Sequence, residues 1–236
     1  MSTPVFVGTG VSSRPTGNGA TSVYTLSHTL DAAADFLVLI ADNGNTTRTA
    51  TAKYNGVSMS QAVALQSGNF RGYMWYLLAA SLPAAGTYDF EVTFSGTITN
   101  GTPFNMAGAA IDGANQAAPE ASSSLDISGS TTISSATITT VADAALIVQG
   151  ILMGDARTIS SYTNGQTTHV GAGGRYIAGK TGPTPGGAQS INYALSSSSA
   201  KGVSLAISIA GASSGGGRAG VNRGIGKRLI NGGCIS

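Results

Sequence analysis

A chain of 236 residues with 42% hydrophobic side chains can bury a sizeable core, as one large all-β domain or two small ones. Only 9% of its residues are charged, against roughly 25% in ordinary soluble domains. Gly, Ser, Thr and Ala fill the gap, which disfavours long helices and suits short strands joined by tight turns. No apolar run reaches the ~20 residues of a membrane span, and the one cysteine, Cys234, excludes an internal disulfide and a cysteine-based metal cluster.

The amino-terminal stretch "MSTPVFVGTGVSS" has no basic start and no apolar run, so no signal peptide is expected. Strands then follow by their alternation. "SVYTLSHTL" (22–30) aligns Tyr24, Leu26, His28 and Leu30 on one face. "FLVLIA" (36–41) is strand-sized, and "DNGN" (42–45) reads as a turn rather than a calcium loop because no later bidentate Glu follows. "KYNGVSM" (53–59) carries the Asn-Gly pair of a two-residue hairpin. In "YMWYL" (73–77), Tyr73, Trp75 and Leu77 share a face that belongs to the core. "TYDFEVTFS" (87–95) buries Tyr88, Phe90, Val92 and Phe94, and "GVSLAISIA" (202–210) buries Val203, Leu205, Ile207 and Ile209, each strand with one buried face.

A faint internal repeat runs through this series. Asp35 opens "DFLVLI" and Asp143 opens "DAALIV", 108 residues later. Tyr54 precedes Asn55-Gly56, and Tyr162 precedes Thr163-Asn164-Gly165. Arg71-Gly72-Tyr73 matches Arg175-Tyr176, and each half closes on an alternating strand followed by Gly96 or Gly211. The expectation is an antiparallel, jelly-roll-like β-sandwich over residues 1–212, with related halves 1–118 and 119–212 packed as one double sandwich or as two stacked sheets.

Candidate chemistry is sparse. "GRYIAGKT" (174–181) fits the phosphate-loop pattern G-x-x-x-x-G-K-[ST], but no buried strand precedes it, and Pro183 and Pro185 follow where a helix would have to open. Nucleotide binding is therefore not expected, and Arg175-Tyr176-Ile177 reads as a strand. His28 lies on an apolar strand face and His169 beside a Gly-rich turn, far apart in sequence, which favours neither a metal site nor a Ser-His-Asp triad. The acidic residues show no close pair of the kind a glycosidase needs. The expectation is a non-enzymatic protein with no catalytic, cofactor or metal residues.

The charge is lopsided. Residues 1–155 hold 4 basic and 10 acidic side chains, and residues 156–236 hold 8 basic and none acidic. Such a distribution points to contact with another charged surface or between copies of the chain. The alternation stops after Ile209, and a basic Gly-rich arm, residues 213–236, ends the chain. Its candidate assembly residues are Arg218, Val221, Arg223, Ile225, Lys227, Arg228, Leu229, Ile230 and Cys234, the last either a free thiol or an intermolecular disulfide.

The strings "YNGVSM", "MWYLLAASLPAAGTYDFEVTFSG" and "AGAAIDGANQAAP" resemble a β-sandwich module of tailed-phage structural proteins and some bacterial surface proteins. The likeness covers residues of about 20–120 well and the second half weakly. The arm has no counterpart in the family pattern. The resemblance implies a virion component, such as a capsid decoration, neck or collar, baseplate or fibre protein, assembled in the host cytoplasm. Its partners would be other virion proteins and copies of itself, with no cofactor, nucleotide or membrane. A carbohydrate-binding adhesion module on a host-surface glycan is the alternative, and a glycan depolymerase a third.

Overall fold

The computed structural model describes residues 2–44, 47–133, 137–199 and 201–212. Among them every regular element is a β-strand apart from one 3-10 turn at Ala79–Ser81, and every pairing is antiparallel, as the alternation predicts. The strands stack in four layers. The first outer sheet runs β2 (Val23–Leu30), β8 (Gly86–Phe94), β4 (Ala50–Tyr54), β5 (Val57–Ser58). Behind it lies the first inner sheet, β1 (Val5–Ser13), β9 (Met106–Asp112), β3 (Phe36–Asp42), β7 (Phe70–Leu78), β6 (Ser60–Ser67). The second inner sheet runs β10 (Ala121–Asp126), β19 (Gly202–Ile209), β13 (Leu146–Met153), β16 (Arg175–Thr181), β15 (Thr167–Ala172). The last layer is two small sheets: β11 (Thr132–Ile133), β18 (Tyr193–Leu195), β14 (Ile159–Tyr162), and β12 (Thr137–Thr139) with β17 (Ala188–Ser190).

The two inner sheets have the same strand order once β1, β9, β3, β7 and β6 are matched with β10, β19, β13, β16 and β15. They also face each other reciprocally. β7 lies against β19 as β16 lies against β9, and β6 lies against β10 as β1 lies against β15. This is the geometry of a two-fold contact made within one chain. The match places Tyr54 and Tyr162 at the ends of β4 and β14, and Arg71 and Arg175 at the starts of β7 and β16. It also corrects the sequence repeat in two places. The counterpart of β19 is β9, which ends before Gly113, and not the β8 strand that precedes Gly96. Asp35 and Asp143 are not equivalent either: Asp35 accepts from the amides of Gly113 and Ala114, whereas Asp143 accepts from Gly186.

Three apolar layers hold the sheets together. Leu37, Leu39, Tyr73, Trp75, Phe90, Val92 and Phe94 fill the first. Trp75 is only 2% exposed and stacks on Tyr73 at 5.1 Å, so the aromatic run is core. Phe36, Val38, Ile40 and Met74 meet Val148, Leu152, Leu205 and Ile207 in the central layer. Ile147, Ile151, Tyr193 and Ala206 lie in the third. The inner strands therefore bury both faces. β19 is buried at all eight positions, where the sequence suggested one buried face, because Ser204, Ala206 and Ser208 point into the third layer. In contrast, β8 keeps the one-sided pattern, with Tyr88 only half-buried at its open end.

Glycines set how closely the inner sheets approach. A Cβ on Gly150 would lie 2.6 Å from Ile40 Cγ2 and 2.8 Å from Met74 Cε. One on Gly72 would collide with Val203, and one on Gly179 with the Phe6 ring. Each glycine is thus a socket for a large side chain of the facing sheet, the arrangement that native packing density demands. At the β4–β5 hairpin the requirement is different. Asn55 and Gly56 have φ of 48° and 77°, the left-handed pair of a type I′ turn.

Gly72→Ala should overpack the central layer and lower stability by about 1–3 kcal/mol. Phe90→Ala, which empties the first layer, should cost about 3–5 kcal/mol. Gly187→Ala, which points its Cβ into open space, should stay within about 0.5 kcal/mol of the parent. Denaturant unfolding of the three variants checks this ordering.

Candidate functional site

The ends of β1, β3 and β13 and the starts of β7, β9, β16 and β19 meet at one end of the stack. Antiparallel pairing carries Arg14, Arg48, Arg71, Arg157, Arg175 and Lys201 there, six of the eight basic side chains among the described residues. The opposite end carries Asp31, Asp35, Asp112, Glu120 and Asp143, with Lys180 the one base beside them among the described residues. The lopsidedness along the chain thus becomes a partial separation along the strands: both halves place arginines at the same end, where Asp42, Asp126 and Asp155 also lie.

The basic end is tied together by polar groups that cross between the halves. Arg14, just past β1, donates from Nη1 to the Gly173 carbonyl at 3.0 Å and from Nη2 to the Gly154 carbonyl at 2.7 Å. Asn105 donates from Nδ2 to the Met153 carbonyl at 2.8 Å and to Oδ2 of Asp42. Asp42 closes its own turn by accepting from the Gly44 amide at 2.8 Å, so residues 42–44 form a turn built on a buried carboxyl. Asp155 accepts from Arg157 Nε at 2.9 Å and from Ser199 Oγ at 2.7 Å. The Arg71 guanidinium lies 5.1 Å from the Tyr73 ring.

Two titratable groups are displaced in opposite senses. Asp42 is fully buried, and desolvation pushes its pKa up to about 7 against the pull of its hydrogen bonds and of Arg14. His28 is buried among Tyr54 and Phe90, with Nδ1 3.0 Å from the Tyr54 hydroxyl. Burial, then the charge of His169, push its pKa down to about 4. His169 is itself shifted down by burial and stacks on Phe6 at 4.3 Å, a second contact between the halves. The histidines therefore serve as packed aromatics. Among the described residues no three of His, Cys, Asp and Glu group as a metal would require.

The phosphate-loop match falls on β16, where Lys180 pairs with Ile147 and Gly179 with Val148. The segment is a strand from Arg175 to Thr181, and it presents no helix start to a phosphate. A shallow depression on the first outer sheet is lined by Thr25, Asn55, Thr87, Tyr88, Asp89 and Glu91. Tyr88 is its aromatic wall, and Glu91 also meets Lys53 Nζ at 3.8 Å.

The arm residues Arg218, Val221, Arg223, Ile225, Lys227, Arg228, Leu229, Ile230 and Cys234 lie outside the described residues. The described chain ends at the acidic end. There the Ala212 amide donates to Gly113 O at 2.8 Å, Ser2 N donates to Ala212 O at 3.1 Å, and Ala114 bridges Gly211. Sequence reasoning missed the Arg14 and Asn105 ties. Their only signal is polar residues in loops, and which strands those loops flank depends on pairings distant in the chain.

The signs of the two displaced pKa values give a test. The raised Asp42 pKa means the fold binds the proton more tightly, so its contribution to stability falls as pH rises from about 4 to about 7. The lowered His28 pKa means stability is lost as pH falls from about 6.5 to about 4. Over pH 4–6.5 the slopes oppose each other, each at most about 1.4 kcal/mol per pH unit. Asp42→Asn should leave a stability that climbs from pH 4 to 6.5 and then flattens. His28→Gln should leave one that declines from pH 4 to 7. Thermal melts across that range check both. No family model matches this chain, and no curated protein or solved structure is similar to it.

Proposed function

We propose that this chain is a non-enzymatic structural component of a phage virion, a capsid decoration, neck, baseplate or fibre protein, that joins its particle through protein–protein contacts made in part by its C-terminal arm. The observation that carries the reading is the position of the arm's origin. A rigid stack, stapled across its halves by Arg14 and Asn105, releases at its acidic end a segment with four basic and no acidic side chains. The likeness of residues ~20–120 to tailed-phage sandwich modules supports the virion setting. Its motif segments fall on the β4–β5 hairpin, on β7 and β8, and on β9 and the loop after it.

Individual exposed ion pairs contribute about 1 kcal/mol or less, so such an arm would hold by several pairs together with Val221, Ile225, Leu229 and Ile230. Carbohydrate binding is the second reading. The depression beside Tyr88, with Asn55, Asp89 and Glu91 around it, has the mix of aromatic edge and polar groups a sugar would need. A glycan array with Tyr88→Ala as the control separates it from the first reading.

Deleting residues 213–236 should leave a folded chain whose melting temperature lies within a few degrees of the parent. The truncated chain should no longer join its oligomer or particle. Sedimentation at low and high salt reads this out, and equal assembly of both chains would overturn the arm's role.

A further inference from the structure

The acidic end combines two properties. First, Asp31, Asp35, Asp112, Glu120 and Asp143 gather there with one neighbouring base, Lys180, among the described residues. Four of these carboxylates cap backbone amides, but capping leaves their charge in place. Secondly, two of the four exposed large apolar side chains among the described residues are at this end. Val141 is 74% exposed, one residue past β12's flanking Thr140 and beside the Glu120 carboxylate that its amide donates to. Val5, which pairs with Asp112, is 50% exposed.

A surface with clustered carboxylates and uncovered valines fits a basic, apolar-studded segment. The chain supplies one at this point. Ala212 is bonded to Gly113, next to the amides that Asp35 caps, and the next 24 residues carry Arg218, Arg223, Lys227 and Arg228 with Val221, Ile225, Leu229 and Ile230. We propose that the acidic end is the docking surface for the arm, and that in the free protein it is occupied by the chain's own arm. Tethering decides the source. A short tether gives an effective concentration on the order of millimolar, far above that of a second copy in dilute solution. Five residues lie between Ala212 and Arg218, and the six Cα steps span up to about 20 Å. Resting on the assembly reading above, incorporation is then an exchange: the arm leaves its own acidic end for the equivalent surface of a neighbour.

The test uses the full chain and the native Cys234 as a reporter. Val141→Cys places a partner thiol on the proposed dock, and Asp126→Cys places one at the basic end. Both are treated at micromolar protein with a short bis-maleimide. The expected result is a cross-link from residue 141 to Cys234 within one chain, with a yield several-fold above that at residue 126. The yield should fall several-fold in 0.5 M NaCl, where charges are screened within a few ångströms, and again when Arg218, Arg223, Lys227 and Arg228 are all changed to Gln. Equal yields at both ends, no response to salt or neutralisation, or a cross-linked dimer as the main product would overturn the proposal. Circular dichroism of each variant establishes that it is folded. This outcome is separate from the assembly reading, which fails only if the chain lacking 213–236 still joins its oligomer.

Discussion

The contact between the two inner sheets is the constraint on which the rest of the molecule depends. A five-stranded sheet buried on both faces needs side chains small enough in places to admit the facing sheet, and large enough elsewhere to leave no void. Gly72, Gly150 and Gly179 provide the sockets, and Val203, Ile40, Met74 and Phe6 fill them. The low charge content follows from the same demand. Strands such as β3, β13 and β19, which bury every residue, cannot carry an unpaired charge without a desolvation cost of several kcal/mol. Charge is therefore expelled to loops and strand ends, with most of the described bases at one end and five carboxylates at the other.

This sorting gives the two ends different work. At the basic end the polar groups reach across the central layer and lock the halves in register, with Arg14 and Asn105 satisfying carbonyls of the opposite half. At the acidic end backbone groups of Ser2, Gly113, Ala114 and Gly211 make the closure, and carboxylates cap turns. One end is thus an internal joint and the other presents a field to whatever approaches.

The fold was legible where a strand has one wet face. The alternation in 87–95 and 22–30 identified β8 and β2 and their buried sides, and Asn55-Gly56 identified the hairpin. It was less legible in the inner strands. Serines 204 and 208 look solvent-facing in the sequence, yet they are buried, with Ser204 bonded to Gln149 and Ser208 to Glu120. The internal repeat was visible through the paired Tyr and Arg positions, but spacing alone could not tell β8 from β9 as the partner of β19. That choice depends on sheet order, which is set by long-range pairing. Asp42 was read as a turn residue, and its burial could not be foreseen, since the groups that enclose it come from residues 105 and 14.

The two-fold arrangement has a consequence for synthesis. The inner sheets share a strand order, but neither half is complete, because each inner sheet presents an apolar face that the other covers. When the first half leaves the ribosome, Phe36, Val38, Ile40 and Met74 face solvent until β19 has been made. At the usual 5–20 residues per second, the roughly 100 remaining residues leave that face open for about 5–20 seconds. Throughout that interval the face is an exposed apolar sheet surface, of the kind that makes partly folded chains prone to association.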